Sequence, residues 1–263
     1  MLNGKNKFLT IFSIIVLLFL LLPLLFVVVT SFNNQPTISF PIKGFTFKWY
    51  KNIVFQPDFV EGFRMSLIIA FLASFLSLLV GIPAVYAIVK GKIKHSSRLQ
   101  AFFLSPTLIP EIVIGFAIYQ ALVIKWRFAL FPSLLIGHFL LCLPYVIRLI
   151  TASMEKLDPH IEEAAWINGA SRLKAFFKVV LPNIQSAVIS AFMVCFITSF
   201  NNIPVSLFLN GPGLNMLPTS ILNYLQNNYD PTVSAISVVL MLFTAFLMWA
   251  VEHFLGLNQL RVN

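Results

Sequence analysis

The segment Ser153–Pro182, SMEKLDPHIEEAAWINGASRLKAFFKVVLP, decides how the rest of the chain is read. It lies between two long apolar stretches and holds four of the nine acidic residues of the protein. A chain that concentrates its few charges in one loop presents that loop to water. The local pattern predicts two short helices. Asp158-Pro159 is an N-cap followed by the first helical position, where a missing N–H removes no bond. Glu162 and Glu163 fall in the first turns, where negative charge meets the positive end of the helix. Gly169 stops the first helix, and Ser171 caps a second. On that second helix Leu173, Phe176, Phe177 and Val180 share one face, and Arg172, Lys174 and Lys178 take the other.

Outward from this loop the chain is apolar. It is 59% hydrophobic and 10% charged over 263 residues, with a mean hydropathy of +0.89. That excludes a soluble domain. Apolar runs exceed the ~20 residues a helix needs to cross a bilayer. Six spans are expected, at about 8–30, 63–89, 99–124, 132–150, 183–209 and 232–255, in a single all-α membrane domain over 1–263. The first stretch is too long for the ~7–15-residue apolar core of a signal peptide, and no small-x-small cleavage pattern follows. The expected topology puts both termini and the 153–182 loop on the cytoplasmic side. Positive charge agrees: twelve of the eighteen Lys and Arg fall on that side or its border and six on the other. Lys90, Lys92, Lys94 and Arg98 mark one short inner loop.

The net charge of +9 comes from basic residues scattered among loops. Retention of cytoplasmic loops accounts for it, and nucleic acid is not expected as a partner. Cys142 and Cys195 lie inside apolar segments and read as small buried hydrophobes. His138 also lies in an apolar run, where a hydrogen-bonded packing histidine is the simplest reading. The third span contains Pro106 and Pro110, which interrupt the helical ladder. Glu111 follows them and is the only acid well within an apolar segment. It is either a translocation-path residue or a structural carboxyl bonded to a neighbouring helix. Asn201 and Asn202 carry the same pair of readings.

No G-x-x-x-x-G-K-[ST] segment, zinc signature or nucleophile elbow occurs. Enzymatic chemistry is therefore not expected of this chain, and any energy for transport comes from a partner or an ion gradient.

Glu162-Glu163-Ala164-Ala165, three residues to Gly169, then nine to Val179-Val180-Leu181-Pro182, resembles the EAA loop of binding-protein-dependent (MetI-like) ABC importer permeases. Val179 stands where that pattern has Ile. The resemblance extends to Gly44-Phe45-Thr46-Phe47-Lys48-Trp49-Tyr50, and to Ser199-Phe200-Asn201-Asn202 with Phe208 to Gly213, Leu217-Pro218 and Asp230-Pro231. These stretches are similar to the C-type permease of spermidine/putrescine importers and cover most of residues 40–255. The resemblance implies a bacterial inner-membrane permease whose EAA residues (Glu162, Glu163, Ala164, Ala165, Gly169, Leu181 and Pro182) couple to a partner ATPase dimer. ATP and magnesium would reside on that dimer, with no cofactor in this chain. It also implies a second homologous permease, a periplasmic or lipid-anchored solute-binding protein meeting residues 45–50 and 211–218, and a path lined by Glu111, Asn201 and Asn202. The pattern tends to carry acids where this chain has Asn201 and Asn202. The cargo is accordingly expected among small polar solutes: a polyamine, 4-aminobutyrate or an opine. An ATP-independent secondary transporter or channel is the alternative; neither an inverted repeat nor a coupling-ion site is visible.

Overall fold

The computed structural model describes residues 7–91 and 93–255. Lys5, Lys92 and Arg261, counted in the charge asymmetry, lie outside the described residues. Among the described residues four helices are long and apolar enough to cross a bilayer: α1 (Lys7–Thr30), α3 (Pro57–Lys90), α6 (Leu130–Met154) and α12 (Thr232–Leu255). Two helix pairs with a sharp bend are long and apolar enough only when each pair is taken together, as a broken span or a re-entrant loop. In the first, α4 (Ser96–Leu104) and a 3-10 turn meet α5 (Glu111–Ile118) and a π-helical turn at 94°. The break falls at Ile109-Pro110, so the expected third span is not one straight rod. In the second, the 172–183 segment meets α10 (Gln185–Phe200) at 71°.

One expectation needs correction. The fifth span, expected to continue to about 209, is helical only to Phe200. Pro204 brings no N–H to a ladder, and the backbone N–H of Val205 instead bonds the Asn202 side chain at 3.0 Å. Between the expected spans lie two short helices, α2 (Lys48–Phe55) and α11 (Leu217–Asn227).

The chain packs as two compact units, 1–60 with 221–263 and 61–220. In the first, α1 and α2 both pack on α12. α1 is apolar on every side and its side chains from Leu9 to Leu25 are exposed, the pattern of a helix meant for lipid or another apolar partner. Its end is fixed by Thr30 Oγ1 donating to Ser234 Oγ at 3.1 Å. Buried Asn33 then folds the following loop on itself. Its Oδ1 accepts from the backbone N–H groups of Gln35 and Lys43, and its Nδ2 donates to the Thr37 carbonyl. Trp49 donates its indole N–H to the Asn33 carbonyl.

In the second unit α6 is the central element, lying against α10 and carrying thirteen buried residues. Hydrocarbon tails are as apolar as leucine, so close packing and interhelical hydrogen bonds must hold these helices together. Small residues allow it. A Cβ on Gly81 would fall 2.5 Å from Val146 Cγ1, and Ser77 Oγ donates to the Phe139 carbonyl at 3.3 Å. Cys142 and Cys195 are buried where α6 meets α10, each thiol directed at the other's backbone carbonyl.

Candidate functional site

The 153–182 loop forms as its caps predict. The Asp158 carboxylate accepts from His160 N–H at 3.0 Å and opens α7 (Pro159–Ile167). Gly169, at φ +82°, closes it. Its N–H bonds the Trp166 carbonyl at 2.9 Å and that of Ala170 bonds Ala165 at 3.0 Å, the paired bonds of a Schellman end. Ser171 Oγ accepts from Lys174 N–H and opens α8 (Arg172–Ala175). The chain then runs through a π-helical turn, 176–180, into α9 (Leu181–Asn183).

The pair of acids in this loop divides. Glu163 is exposed, with His160 Nδ1 at 3.3 Å. Glu162 is only 3% exposed and points into its own chain, where the Tyr86 hydroxyl of α3 donates to its carboxylate. Phe176 lies edge-on to the Tyr86 ring, 5.0 Å between centroids. Ala164 is exposed and Ala165 half-buried; Leu181 packs on the α3–α6–α10 core while Pro182 is exposed. The apolar face expected of the second helix splits as well. Val180 is buried and Phe176 half-buried, but Leu173 and Phe177 remain exposed. Ile167 on α7 is 87% exposed. Tyr86 had no signal in the sequence, being one aromatic residue among many in an apolar span.

The path candidates are also sorted. Asn202 is buried and donates its Nδ2 to Glu111 Oε2 at 2.7 Å. Asn201 is exposed and only ends α10. The structure thus brings Glu111 and Asn202 together and leaves Asn201 apart.

A chain of hydrogen bonds continues from Asn202. Ser206 Oγ donates to the Asn202 carbonyl at 3.0 Å and lies 3.1 Å from His138 Nε2; His138 Nδ1 lies 2.8 Å from Ser199 Oγ. With the single Ser206 hydrogen engaged on Asn202, His138 presents Nε2–H to Ser206 and accepts at Nδ1 from Ser199. A neutral imidazole is then fully satisfied. His138 is a packing residue that locks the non-helical 201–216 segment to α6. Among the described residues no group of His, Cys, Asp and Glu is placed to hold a metal.

Residues 4–255 match the model of the family described as binding-protein-dependent transport system inner membrane component. The putrescine transport system permease protein PotI of Escherichia coli (strain K12) is 26% identical over 230 residues, 85% of this chain and 82% of that protein. The spermidine/putrescine transport system permease protein PotC of Haemophilus influenzae is 26% identical over 237 residues, 90% of this chain and 92% of that protein. Among solved structures, a bacterial ABC transporter involved in import of the acidic polysaccharide alginate has a chain that superposes with a TM-score of 0.69 at 17% identity, covering 96% of this chain and 98% of its own. The MetNI methionine ABC transporter in an inward-facing conformation gives 0.60 at 19% identity, covering 74% and 94%. A multi-pass chain built of these spans, with a family match across nearly its whole length, belongs to the binding-protein-dependent transport system inner membrane components, the MetI-like permeases of ABC importers.

Proposed function

We propose that this chain is the membrane subunit through which partner ATPase subunits drive entry of a small polar organic solute, with a polyamine, 4-aminobutyrate or an opine-like molecule as the cargo classes. The observation that carries the reading is the two-sided loop at 153–182. Ile167, Leu173 and Phe177 are exposed on it, and apolar side chains of that size on a charged loop suit a protein groove. Glu162, turned inward, ties the same loop to α3 through Tyr86. A rigid helix pair, held by a partner on one side and by a span on the other, transmits a two-state change in the partner to the spans.

The assembly would contain a second homologous permease, two ATPase subunits carrying ATP and magnesium, and a solute-binding protein at the 45–50 and 211–218 segments. Both termini and the coupling loop would be cytoplasmic. The named functions of the polyamine-permease relatives favour an amine cargo, and Glu111 with Asn202 would line its path. Asn201 would add an exposed carboxamide nearby.

The test is solute-dependent uptake and ATP hydrolysis by the reconstituted complex carrying Gly169→Asp. A side chain at φ +82° is strained, although nothing lies within 4 Å of the Cβ position. The variant is expected to insert and to assemble, but to lose uptake. Normal uptake by Gly169→Asp would remove the coupling role from this loop.

A further inference from the structure

Beside Glu111 the bend of the third span opens a cleft of about 80 Å³ lined by Pro106, Thr107, Glu111, Leu140, Pro144 and Tyr145 among others. Its chemistry is one-sided. One Glu111 carboxylate oxygen accepts from Asn202, and among the described residues the other has no partner. Thr107 has already given its hydroxyl hydrogen to the Leu104 carbonyl at 2.7 Å, so its oxygen has lone pairs left to offer. Pro144 supplies no N–H to the carbonyl of Leu140 one turn earlier. The Tyr145 hydroxyl is bonded by no described residue, and its ring offers a face that attracts cations. No Lys, Arg or His side chain lines the cleft. A site with one carboxylate, a Thr107 oxygen left as an acceptor, a Tyr145 hydroxyl able to accept as well as donate, and no cationic side chain favours a group that carries positive charge and several N–H donors over a carboxylate or phosphate.

We propose that this cleft binds the primary ammonium end of the transported solute, with Glu111 as its counter-charge and Asn202 as the residue that holds the carboxylate in place. The inference rests on the transport reading and deepens it. The site is built for one charge. No second acid lines the cleft, and the carboxamide of Asn202 is a donor already committed to Glu111. A monoamine or a zwitterion such as an amino acid therefore finds as much here as a diamine does; recognition of a second ammonium has no counterpart on this side of the path.

The experiment is protection of Glu111 from N,N′-dicyclohexylcarbodiimide, read by mass spectrometry of the full complex in proteoliposomes. Asp58 and Glu61 serve as internal reference carboxyls. The probes are butylammonium, 1-butanol and butyrate. At ten times its Kd, butylammonium is expected to slow labelling of Glu111 by about tenfold, by simple occupancy, while 1-butanol and butyrate leave it unchanged. Asn202→Leu should still be labelled at Glu111 but lose most of the protection. 1,4-Diaminobutane should protect within about twofold of butylammonium, rather than with the ~10²-fold gain of two engaged ends. Labelling slowed equally by 1-butanol, or unaffected by butylammonium, overturns the ammonium site; much tighter protection by the diamine overturns the single-charge claim. ATP-driven uptake in the same vesicles reports separately on the importer reading, so either can fail while the other stands.

Discussion

The Tyr86 hydroxyl donates to the Glu162 carboxylate, joining a transmembrane helix to a loop residue 76 positions later in the chain. Glu162, the residue just before the Glu163-Ala164-Ala165 run, thus faces its own chain, while Glu163 faces out. A buried carboxylate deprived of its donor costs about 1–3 kcal/mol. Tyr86→Phe should therefore loosen the loop from α3: uptake by the complex should fall severalfold while basal ATP hydrolysis persists. Glu162→Gln keeps an acceptor for Tyr86 and should retain far more uptake than Glu162→Ala. If Gln and Ala were equally damaging, the charge itself would be needed, and contact with a partner would replace the Tyr86 bond as its purpose.

What the sequence made legible was local. Asp158, Gly169 and Ser171 mark helix ends by their own chemistry, and the loop forms where they place it. Pro106 and Pro110 announced the break in the third span. The stretch 201–209 misled because it is nearly as apolar as α10. What ends that helix is a side chain, Asn202, reaching Val205 and Glu111, and such a partner is set by tertiary packing. Tyr86 was hidden for the same reason. Glu111 was legible as an acid out of place, but its bond to Asn202 was not. α2 and α11 were hidden by loop-like composition around short amphipathic segments.

Gly115 and Gly137 both face Val205 but should not be equally sensitive. A Cβ on Gly115 would lie 2.8 Å from Val205 Cα and 3.1 Å from the Pro204 carbonyl oxygen, so backbone would have to move. On Gly137 it would meet Val205 Cγ1 at 2.8 Å, a side-chain atom that can rotate. Because the Val205 N–H holds Asn202, displacement of this backbone also disturbs the bond to Glu111. Gly115→Ala is expected to cost about 1–3 kcal/mol and most uptake, and Gly137→Ala less than half of that on both counts. Thermal melts of the purified complex and uptake assays would show it; the reverse order would contradict the packing described.

His138 tests the polar chain between α6 and the 199–206 region. His138→Leu leaves the buried Ser199 and Ser206 hydroxyls without their ring partner, at about 1–3 kcal/mol for each group left unpaired. The melting temperature of the complex should fall, and His138→Gln, which can bond at least one serine, should fall less. Equal melts for wild type and His138→Leu would show that these bonds contribute nothing to the packing of α6.

The remaining prediction concerns pH in the unit formed by 1–60 and 221–263. Tyr224 donates to Asp230 Oδ2 at 2.9 Å and lies within hydrogen-bond range of Asn52 and Thr232. Burial is the main influence that raises its phenol above the ordinary 10, and the Asp230 carboxylate adds to it against an opposing Thr232 bond. With the folded value raised, the folded state keeps its proton where the unfolded chain has lost it. The stabilisation is complete below pH 10 and declines as pH rises from there through the folded value. Thermal melts of the wild-type complex should drop more steeply above pH 10 than those of Tyr224→Phe, which has no phenol to ionise. Parallel pH profiles for the two proteins would mean that Tyr224 ionises alike in both states, and that its bond to Asp230 does not resist deprotonation.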